Sequence, residues 1–382
     1  MRAAADDQAA SRNETWIRNP TGAFGIWDRW VASTGIPVHE AYFVPDLRDL
    51  ELEWWEERQC HATFLKLAGF EGVSEARVSE IGPGKSTAPL KFGFDEGVYV
   101  LEGRGLTNIS NEASGQRISF EWQKHSLFLL PRHYHHHFSN LQGDRPARLF
   151  HFNYLPITMM AVPDPTFFFD NPYVQDDTTA DMNGLYSEAR MKVPRPGEMG
   201  RNVWSGNFFP DMGSWDRLET GGVRGAGARH VAITFPGSPI TSHMAVFDPF
   251  TYKKAHRHGP GVVIVIPGGE GFSVMWPEGK EKIMIPWREG SAFAPPNRWW
   301  HQHFNVGSAP ARYLAIHALP ALSTWSSREE TLAQDQIEYP DEDPWIRRTF
   351  EAELEKRGLR SAMPTEAYRD RNYKWQADGM EP

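Results

Sequence analysis

The segment PPNRWWHQHFN, residues 295–305, decides how the fold of this chain is interpreted. In this segment Pro296 precedes His301 by five residues, and Asn305 follows His301 by four. The same spacing occurs upstream at Pro131, His136 and Asn140. A spaced motif that recurs in this way indicates an internal duplication. We therefore expect two structurally similar units in the chain.

A turn that precedes each segment is also repeated. Residues 99–105 read YVLEGRG, and residues 265–271 read VIPGGEG. The last glycine of the turn lies 31 residues before His136 in the first copy and 30 residues before His301 in the second. Short apolar runs of strand length, separated by Gly and Pro, surround both turns. The pattern predicts an all-β fold of two sandwiches or barrels.

Composition changes along the chain predict five segments. The region between the two strand-rich blocks is rich in Pro, Gly and Asp, which is typical of a connector. The predicted segments are an N-terminal arm, a first β unit, a connector, a second β unit and a C-terminal helical tail, at residues 1–60, 61–155, 156–228, 229–325 and 326–382. Within the tail we expect a helix near residues 344–357, and within the arm the acidic stretch 46–57 is predicted to be helical.

Charge and hydropathy exclude several classes of partner. The 382 residues carry 40 Lys and Arg against 49 Asp and Glu, a net charge of −9, so neither nucleic acid nor an anionic membrane is an expected partner. The longest apolar run, Val262–Ile266, is too short to span a bilayer, and no apolar signal segment follows Met1. The single cysteine, Cys60, allows no intrachain disulfide. We predict a soluble cytoplasmic protein.

The segment AHRHGPG, residues 255–261, carries the strongest chemical signal. Alternate residues of a strand face the same side, so His256 and His258 project together. A third histidine from another strand completes a facial metal site with open coordination positions, and His301 is the candidate. Imidazole ligands suit Fe(II), Zn, Ni and Cu.

On these residues the chain resembles the cupin superfamily, specifically the bicupins. Residues 256–269 are similar to the first cupin motif, although its opening glycine is absent and Val262 stands at the glutamate position. Residues 290–305 are similar to the second motif, with Arg298 in place of its middle glycine. The resemblance implies two double-stranded β-helix barrels and a metal site of His256, His258 and His301 without the usual carboxylate.

The first block resembles the same motifs but differs at the metal ligands. Glu96 and Gly103 match the first motif, whereas Leu90 and Phe92 fall where its two histidines belong. The run His133–His137 could bind metal by itself, but one strand cannot arrange three ligands on one face. We therefore expect the first block to be a scaffold without a metal.

Among bicupins, the chain looks most like gentisate and salicylate dioxygenases. That resemblance implies a mononuclear non-haem Fe(II) dioxygenase, which cleaves a C–C bond of a small aromatic or β-dicarbonyl substrate with O₂. Fe(II) is the metal most expected, and Zn, Ni, Mn or Co remain open. Two alternatives also remain: an O₂-independent decarboxylase, lyase or isomerase, and a non-catalytic bicupin that binds a small ligand.

The remaining site residues are assigned by proximity to these motifs. His303 shares a strand face with His301 and is predicted to act as an acid or base, to be a fourth ligand, or simply to line the barrel mouth. Gln302 is predicted to act beside His303. The predicted substrate-binding residues are Trp299, Trp276, Arg298 and Phe272. By analogy with the family, the arm is expected to join copies of the chain into a homodimer or a larger homo-oligomer.

Overall fold

The computed structural model describes residues 25–175, 181–193, 203–220, 225–320, 334–373 and 375. Strands dominate these residues and confirm the all-β prediction. The helices are Gly25–Thr34, Leu155–Ala161, Pro165–Phe169, Met182–Ser187 and Pro344–Glu355. No helix in these ranges is long and apolar enough to cross a bilayer.

The first barrel is built from the strands up to residue 153. These strands are β1 Val38–Ala41, β2 Phe43–Val44, β3 Glu53–Trp55, β4 Cys60–Leu67, β5 Glu75–Ile81, β6 Leu90–Lys91, β7 Glu96–Glu102, β8 Arg104–Ser110, β9 Arg117–Gln123, β10 Leu127–Leu130, β11 His135–Asn140 and β12 Ala147–Asn153. A larger sheet has the order β1-β4-β5-β12-β7-β10, and a smaller sheet has the order β6-β11-β8-β9. The interior is apolar, and residues such as Trp122, Phe128 and Phe138 fill it.

The second barrel repeats this arrangement. The remaining strands are β13 Arg190–Lys192, β14 Val203–Ser205, β15 Phe208–Phe209, β16 Glu219–Thr220, β17 Arg229–Thr234, β18 Thr241–Phe247, β19 Ala255–His256, β20 Val262–Gly268, β21 Glu270–Trp276, β22 Ile283–Arg288, β23 Ala292–Phe293, β24 Trp300–Asn305, β25 Ala311–His317 and β26 Gln336–Ile337. The larger sheet runs β13-β14-β17-β18-β25-β20-β23, and the smaller sheet runs β22-β21-β24-β19-β26. Its interior contains Trp287, Phe293 and Tyr313.

The two barrels exchange short strands. β2 follows β1 of the first barrel but pairs with β23 of the second, with Val44 opposite Ala292. β15 follows β14 of the second barrel but pairs with β10 of the first, with Phe209 opposite Leu127. A single buried apolar cluster also contains residues from the outer faces of both larger sheets. The barrels are therefore joined by backbone pairing and by a shared core.

The duplication predicted from the sequence extends to individual hydrogen bonds. The indole of Trp122 donates to Thr107 Oγ1 at 2.9 Å, and the indole of Trp287 donates to Ser273 Oγ at 3.0 Å. Asn140 and Asn305 each donate to three backbone carbonyls, one in the loop that follows the asparagine and two at the end of an earlier strand, β5 or β18. These equivalent contacts hold the same turns in both barrels.

The terminal segments differ in how well the sequence predicted them. The helix Pro344–Glu355 begins after Asp343, whose carboxylate accepts from the backbone N–H of Trp345 at 2.9 Å. The predicted helix over 46–57 is wrong: two short 3₁₀ turns flank β3 there instead. In this stretch Glu53, Trp54 and Trp55 pair with β4, and strand pairing overrides local propensity. The five segment boundaries and the homo-oligomer stay predictions.

Candidate metal centre

Three histidine rings converge inside the second barrel. His256 of β19 and His301 of β24 are opposite each other on adjacent strands, with ring centroids 4.2 Å apart. The ring of His258, just beyond β19, lies 4.7 Å from that of His301 and 6.2 Å from that of His256. All three residues are buried. These are the residues that the sequence motif nominated as ligands.

The backbone determines which nitrogen of each ring carries the proton. In each ring, Nδ1 lies close to a backbone carbonyl oxygen. The distances are 3.2 Å from His256 to Lys254, 2.7 Å from His258 to Gly259 and 3.1 Å from His301 to Trp299. A carbonyl oxygen can only accept, so in each neutral ring Nδ1 holds the proton and Nε2 presents a lone pair. Metal-binding histidines in proteins are oriented in this way.

His303 lies in the same interior but has a different partner. Its Nδ1 is 2.8 Å from the hydroxyl of Ser273, which accepts a hydrogen bond from the indole of Trp287 at 3.0 Å. A hydroxyl both donates and accepts, so this contact permits either tautomer of His303. If Ser273 donates to Nδ1, then Nε2 carries the proton and His303 is a proton donor rather than a ligand.

Distance and hydrogen bonding favour different third ligands. Ligand atoms of His256, His301 and His303 all lie within 4.8 Å of one another, and this is the one such group in the part of the chain that the structure describes. The carbonyl contacts instead select His258. We give more weight to the hydrogen bonds, because the carbonyl contact assigns an Nε2 lone pair to His258, whereas the Ser273 contact allows either tautomer of His303, and side chains adjust in position when an ion binds.

The donor set fits a divalent transition-metal ion. Buried imidazoles with available lone pairs are the ligands that Fe(II), Zn, Ni and Cu prefer, and Mn or Co can also be held. His256, His258 and His301 would hold the ion, because their Nδ1 atoms are bound by backbone carbonyls. Two residues that the resemblance nominates, His256 and His301, belong to the group of histidines whose ligand atoms lie close together, and His258 as the third ligand stays a prediction.

A cationic group lies beside the histidines. Lys253 is 3% exposed and donates from Nζ to the Tyr313 hydroxyl at 2.7 Å. The Tyr313 ring lies 5.0 Å from the His303 ring. A second pair, His243 and His317, is joined at 3.1 Å between Nδ1 and Nε2, and burial lowers the pKa of His317 to about 3. The sequence analysis nominated neither Lys253 nor Tyr313.

Among the described residues, no buried carboxylate accompanies these groups inside the second barrel. Across the described ranges the buried acidic residues are Asp46, Glu75, Asp95 and Glu96, and all four precede the second barrel. Burial also lowers the pKa of His243 well below its usual value, so this ring is neutral. The interior thus combines neutral imidazoles with one ammonium, and an added divalent ion would increase its positive charge.

Several predicted site residues lie away from the histidines. Gln302 points to the opposite face of β24 and donates to Glu342 at 3.2 Å. Phe272 and Trp276 lie in the apolar cluster beneath the C-terminal helix, where Phe272 stacks on Phe304. The exposed Arg298 makes a bidentate ion pair with Asp335, at 2.9 Å and 2.6 Å. The side chains of these four residues therefore contact other groups, although the backbone N–H of Arg298 donates to the carbonyl of His258 at 2.8 Å.

Trp299 is the one predicted substrate-binding residue that packs against the interior cluster of the second barrel. It is half-buried, and its ring lies 6.1 Å from that of Tyr42. It therefore lies at the edge of the interior rather than inside it.

The first barrel places different residues at the same positions. His136 is paired with Leu90 across β11 and β6, as His301 is paired with His256. The Nδ1 of His136 is 3.4 Å from the Tyr134 carbonyl, and its ring lies 4.9 Å from that of Phe92. The neighbouring histidines of the run 133–137 separate, because His135 contacts Glu112 and His137 contacts Asn108. A single histidine thus remains at the equivalent site.

Comparisons with known proteins find similarity only among solved structures. No protein-family model and no curated protein matches the chain. A deletion mutant of Bacillus subtilis oxalate decarboxylase is 12% identical over 74% of this chain and 78% of that chain, with a TM-score of 0.46. The oxalate decarboxylase structure at pH 4.6 gives 14% identity, 74% and 77% coverage and a TM-score of 0.46. A third structure, from work on the Mn(II) centres of that enzyme, is 14% identical over 75% of this chain and 79% of that chain, with a TM-score of 0.47. Similarity at this level supports no argument about activity.

Proposed function

We propose that the second barrel is the active site of a metal-dependent enzyme that decarboxylates a small carboxylic acid without O₂. The observation that carries this proposal is the buried Lys253–Tyr313 pair, set beside four histidines in an interior without a described carboxylate. Such a site favours an anionic substrate, because an ammonium group and a divalent ion that are both removed from water attract a carboxylate strongly at low local dielectric.

The charge of the site supports recognition of a carboxylate. Three imidazole ligands are neutral and leave a divalent ion its full charge. Lys253 adds an ammonium that is removed from water, and its interaction with an anion is strong at low local dielectric. We propose that Lys253 binds the substrate carboxylate, and that this contact orients the substrate relative to His303 and Tyr313.

The chemistry of decarboxylation requires a proton at its end. When the C–C bond to the carboxylate breaks, the electron pair stays on the remaining carbon, and that carbon must be protonated. Because an ammonium only donates, the Tyr313 oxygen accepts from Lys253, and the Tyr313 hydroxyl keeps its own proton. We propose that Tyr313 delivers the proton and that Lys253 restores it.

His303 is the second proton-handling group in this proposal. With Ser273 donating to Nδ1, the Nε2 atom of His303 holds a proton that can be donated to a substrate oxygen. A bound divalent ion would supply Lewis-acid stabilisation of the charge that develops on the substrate. These roles explain the different hydrogen-bond partners of His303 and of the three carbonyl-bound histidines.

The test is metal analysis combined with product and O₂ measurements. We expect about one divalent ion per chain by elemental mass spectrometry. We also expect CO₂ release from a member of a panel of small dicarboxylic and 2-oxo acids under nitrogen. Substrate-dependent O₂ uptake with catechols, gentisates, salicylates or β-diketones would instead establish the Fe(II) dioxygenase that the sequence resemblance implies.

Two variants separate the roles of the chain's own residues. Lys253→Met should raise KM for the acid and leave the metal content unchanged, since Lys253 is not a ligand. Tyr313→Phe should mainly lower kcat, because it removes the proton donor and keeps the ring. Metal loss from either variant, or unchanged kinetics in both, would contradict these assignments. A protein that binds acid and metal without turnover would support the non-catalytic alternative.

A further inference from the structure

The C-terminal tail adds a strand to the sheet that carries the candidate ligands. β26, Gln336–Ile337, pairs with β19 and places Gln336 opposite His256. The other neighbour of β19 is β24, where His301 is opposite His256, so the strand that contains His256 is held on both sides. In the part of the chain that the structure describes, the smaller sheet of the first barrel ends at the equivalent strand, β6. The additional strand thus belongs to the barrel that contains the candidate ligands.

Asp335, the residue before β26, binds two arginines that lie close to those ligands in the sequence. Arg257 stands between the two histidines of the AHRHGPG segment, and its Nε donates to Asp335 Oδ1 at 3.1 Å. Arg298 lies three residues before His301 and donates to both carboxylate oxygens of Asp335, at 2.9 Å and 2.6 Å. The backbone N–H of Arg257 also donates to the Asp335 carbonyl at 3.1 Å. One residue of the tail therefore joins the two segments that carry all three candidate ligands.

Two further acids of the tail contact residues of the same two segments. Glu338 pairs with Lys254 at 2.5 Å, immediately before β19. Glu342 accepts from Gln302 at 3.2 Å, in the middle of β24. Because neighbouring residues of a strand point to opposite faces, a side chain held on the outer face fixes the direction of the adjacent histidine on the inner face. The contacts made by residues 335–342 are therefore placed where they can orient the ligands.

Arg298 adopts a backbone conformation that only glycine takes without strain. Its φ angle is 62°, in the left-handed region, and its backbone N–H donates to the carbonyl of His258 at 2.8 Å. At the equivalent bend of the first barrel His133 has a φ angle of 63°, but its ring packs against Tyr173 rather than against an acid of the tail. What an arginine adds at this bend in the second barrel is the bidentate pair with Asp335, a strong and geometrically specific contact.

We propose that residues 335–342 position the metal ligands of the second barrel, with Asp335 as the main positioning residue. Asp335 acts through Arg257 and Arg298 rather than by contact with the ion. Removal of groups that orient metal ligands typically lowers metal affinity by about 10- to 100-fold. The proposal rests on the metal centre proposed above, but it does not depend on which reaction the metal supports.

The test measures the affinity of the full chain for Co(II), whose visible absorption depends on the geometry of its ligands. Each protein is titrated with Co(II) in competition with a chelator of known affinity. Asp335→Asn should weaken Co(II) binding by about tenfold or more and change the absorption bands. Asp341→Asn is the matched control, because Asp341 lies in the same segment but pairs with Arg371 of the tail itself, at 2.5 Å. The control should change neither quantity.

Arg298→Gly separates positioning from folding. Glycine relieves the left-handed backbone and removes the guanidinium, so the melting temperature of the metal-free protein should change little while Co(II) binding weakens by about tenfold. The double variant of Asp335→Asn and Arg298→Gly should bind Co(II) about as weakly as Asp335→Asn alone, because both changes remove the same pair. If Asp335→Asn does not fold, Arg298→Gly decides the proposal by itself.

Unchanged Co(II) affinity and absorption in both Asp335→Asn and Arg298→Gly would overturn the proposal and leave the tail as a cover of the sheet. Equal weakening in Asp341→Asn would also overturn it, because the effect would then come from a general loosening of the tail. An unmodified protein that binds no Co(II) would remove the metal centre and this proposal together. If Co(II) binds but no acid is decarboxylated, the proposed function fails, and the comparison of Co(II) affinities still decides the role of Asp335.

Discussion

The two barrels share a scaffold and differ in what they enclose. Trp122 and Trp287 make equivalent indole–hydroxyl bonds, and Asn140 and Asn305 close equivalent loops. The histidine positions of the second barrel instead correspond to apolar side chains in the first, such as Leu90 opposite His136. Contacts that hold the turns are therefore the same in both copies, whereas inward-facing side chains determine whether a metal can be bound.

The charges inside the two barrels differ in the same way. The first barrel contains Glu75 and Glu96 bridged by Arg77, so these three buried charges are paired with one another. The second barrel contains histidines and Lys253, without a described buried carboxylate. The first interior therefore already contains carboxylates, whereas the described groups of the second interior are ones that attract an anion. This difference is the basis for assigning catalysis to the second barrel.

The largest expected effect is the loss of metal from one barrel only. His301→Ala should remove nearly all bound metal, because it deletes a ligand, and His136→Ala should leave the metal content unchanged. Elemental mass spectrometry of both purified variants, with circular dichroism to confirm folding, makes the comparison. Metal loss from His136→Ala would show that the barrels have been assigned the wrong way round.

The same measurement decides between His258 and His303 as the third ligand. The carbonyl contact of His258 predicts that His258→Ala loses metal and that His303→Ala retains most of it. The opposite result would favour the group of His256, His301 and His303, whose ligand atoms lie within 4.8 Å of one another.

The next effect concerns the paired charges of the first barrel. Glu96→Gln should destabilise the protein by about 3–5 kcal/mol, since it removes one of the two buried carboxylates that compensate the charges of Arg77 and Arg58. The matched change in the second barrel is His243→Leu, which breaks a bond between two neutral rings and should cost about 1 kcal/mol. Thermal and urea unfolding of both variants tests this order. Equal losses would mean that the Glu96 pair carries no special stability.

Two carboxyl groups should respond to pH in opposite directions. Burial raises the pKa of Glu342 to about 7, although Tyr252 and Gln302 donate hydrogen bonds to its carboxylate. In Glu96 burial also acts to raise the pKa, but Arg77 and His151 hold it well below its usual value. Between about pH 4.5 and 7 the folded state holds more protons at Glu342 than the unfolded state, so stability falls as pH rises. Glu96 contributes stability above about pH 4.5 that is lost on further acidification.

Glu342→Gln should therefore flatten the fall in stability between about pH 4.5 and 7. The group accounts for up to about 3 kcal/mol across that window, at 1.36 kcal/mol per pKa unit. Melting temperatures over this range, for the variant and the unmodified protein, make the test. An unchanged slope would show that Glu342 is ionised throughout.

The sequence predicted the repeated scaffold because spacing along strands fixes it. Motif register alone predicts Leu90 and Phe92 at the positions of the two motif histidines, and the pairing of Leu90 with His136 agrees with the pairing of His256 with His301. The outward placement of Gln302 also follows from strand alternation, since His301 and His303 share the other face. Alternation along β25 could have found Tyr313, between the inward-facing Ala311 and Ala315.

The buried cations could not be predicted in this way. Lys253 and Lys254 are adjacent and chemically identical in the sequence, yet Lys253 contacts Tyr313 inside the barrel and Lys254 pairs with Glu338 at 2.5 Å. Arg58 has the exposed residues Glu56 and Glu57 beside it, which are typical of a surface turn. Their burial depends on packing between distant strands, and that information is not present in local composition.

The smallest expected effect tests whether the shared indole–hydroxyl bond has acquired a function in one barrel. Trp122→Phe and Trp287→Phe each remove one buried N–H donor, and each loss should lower the free energy of unfolding by about 1 kcal/mol. The loss of packing adds to this effect and is the same in both variants. Only Trp287 acts on a hydroxyl that contacts a histidine, because Ser273 lies 2.8 Å from His303 Nδ1. Trp287→Phe should therefore also shift the pH profile of turnover, and Trp122→Phe should not. Equal pH profiles in the two variants would mean that the Trp287–Ser273 bond is scaffold in both barrels, and that the tautomer of His303 is set by other contacts.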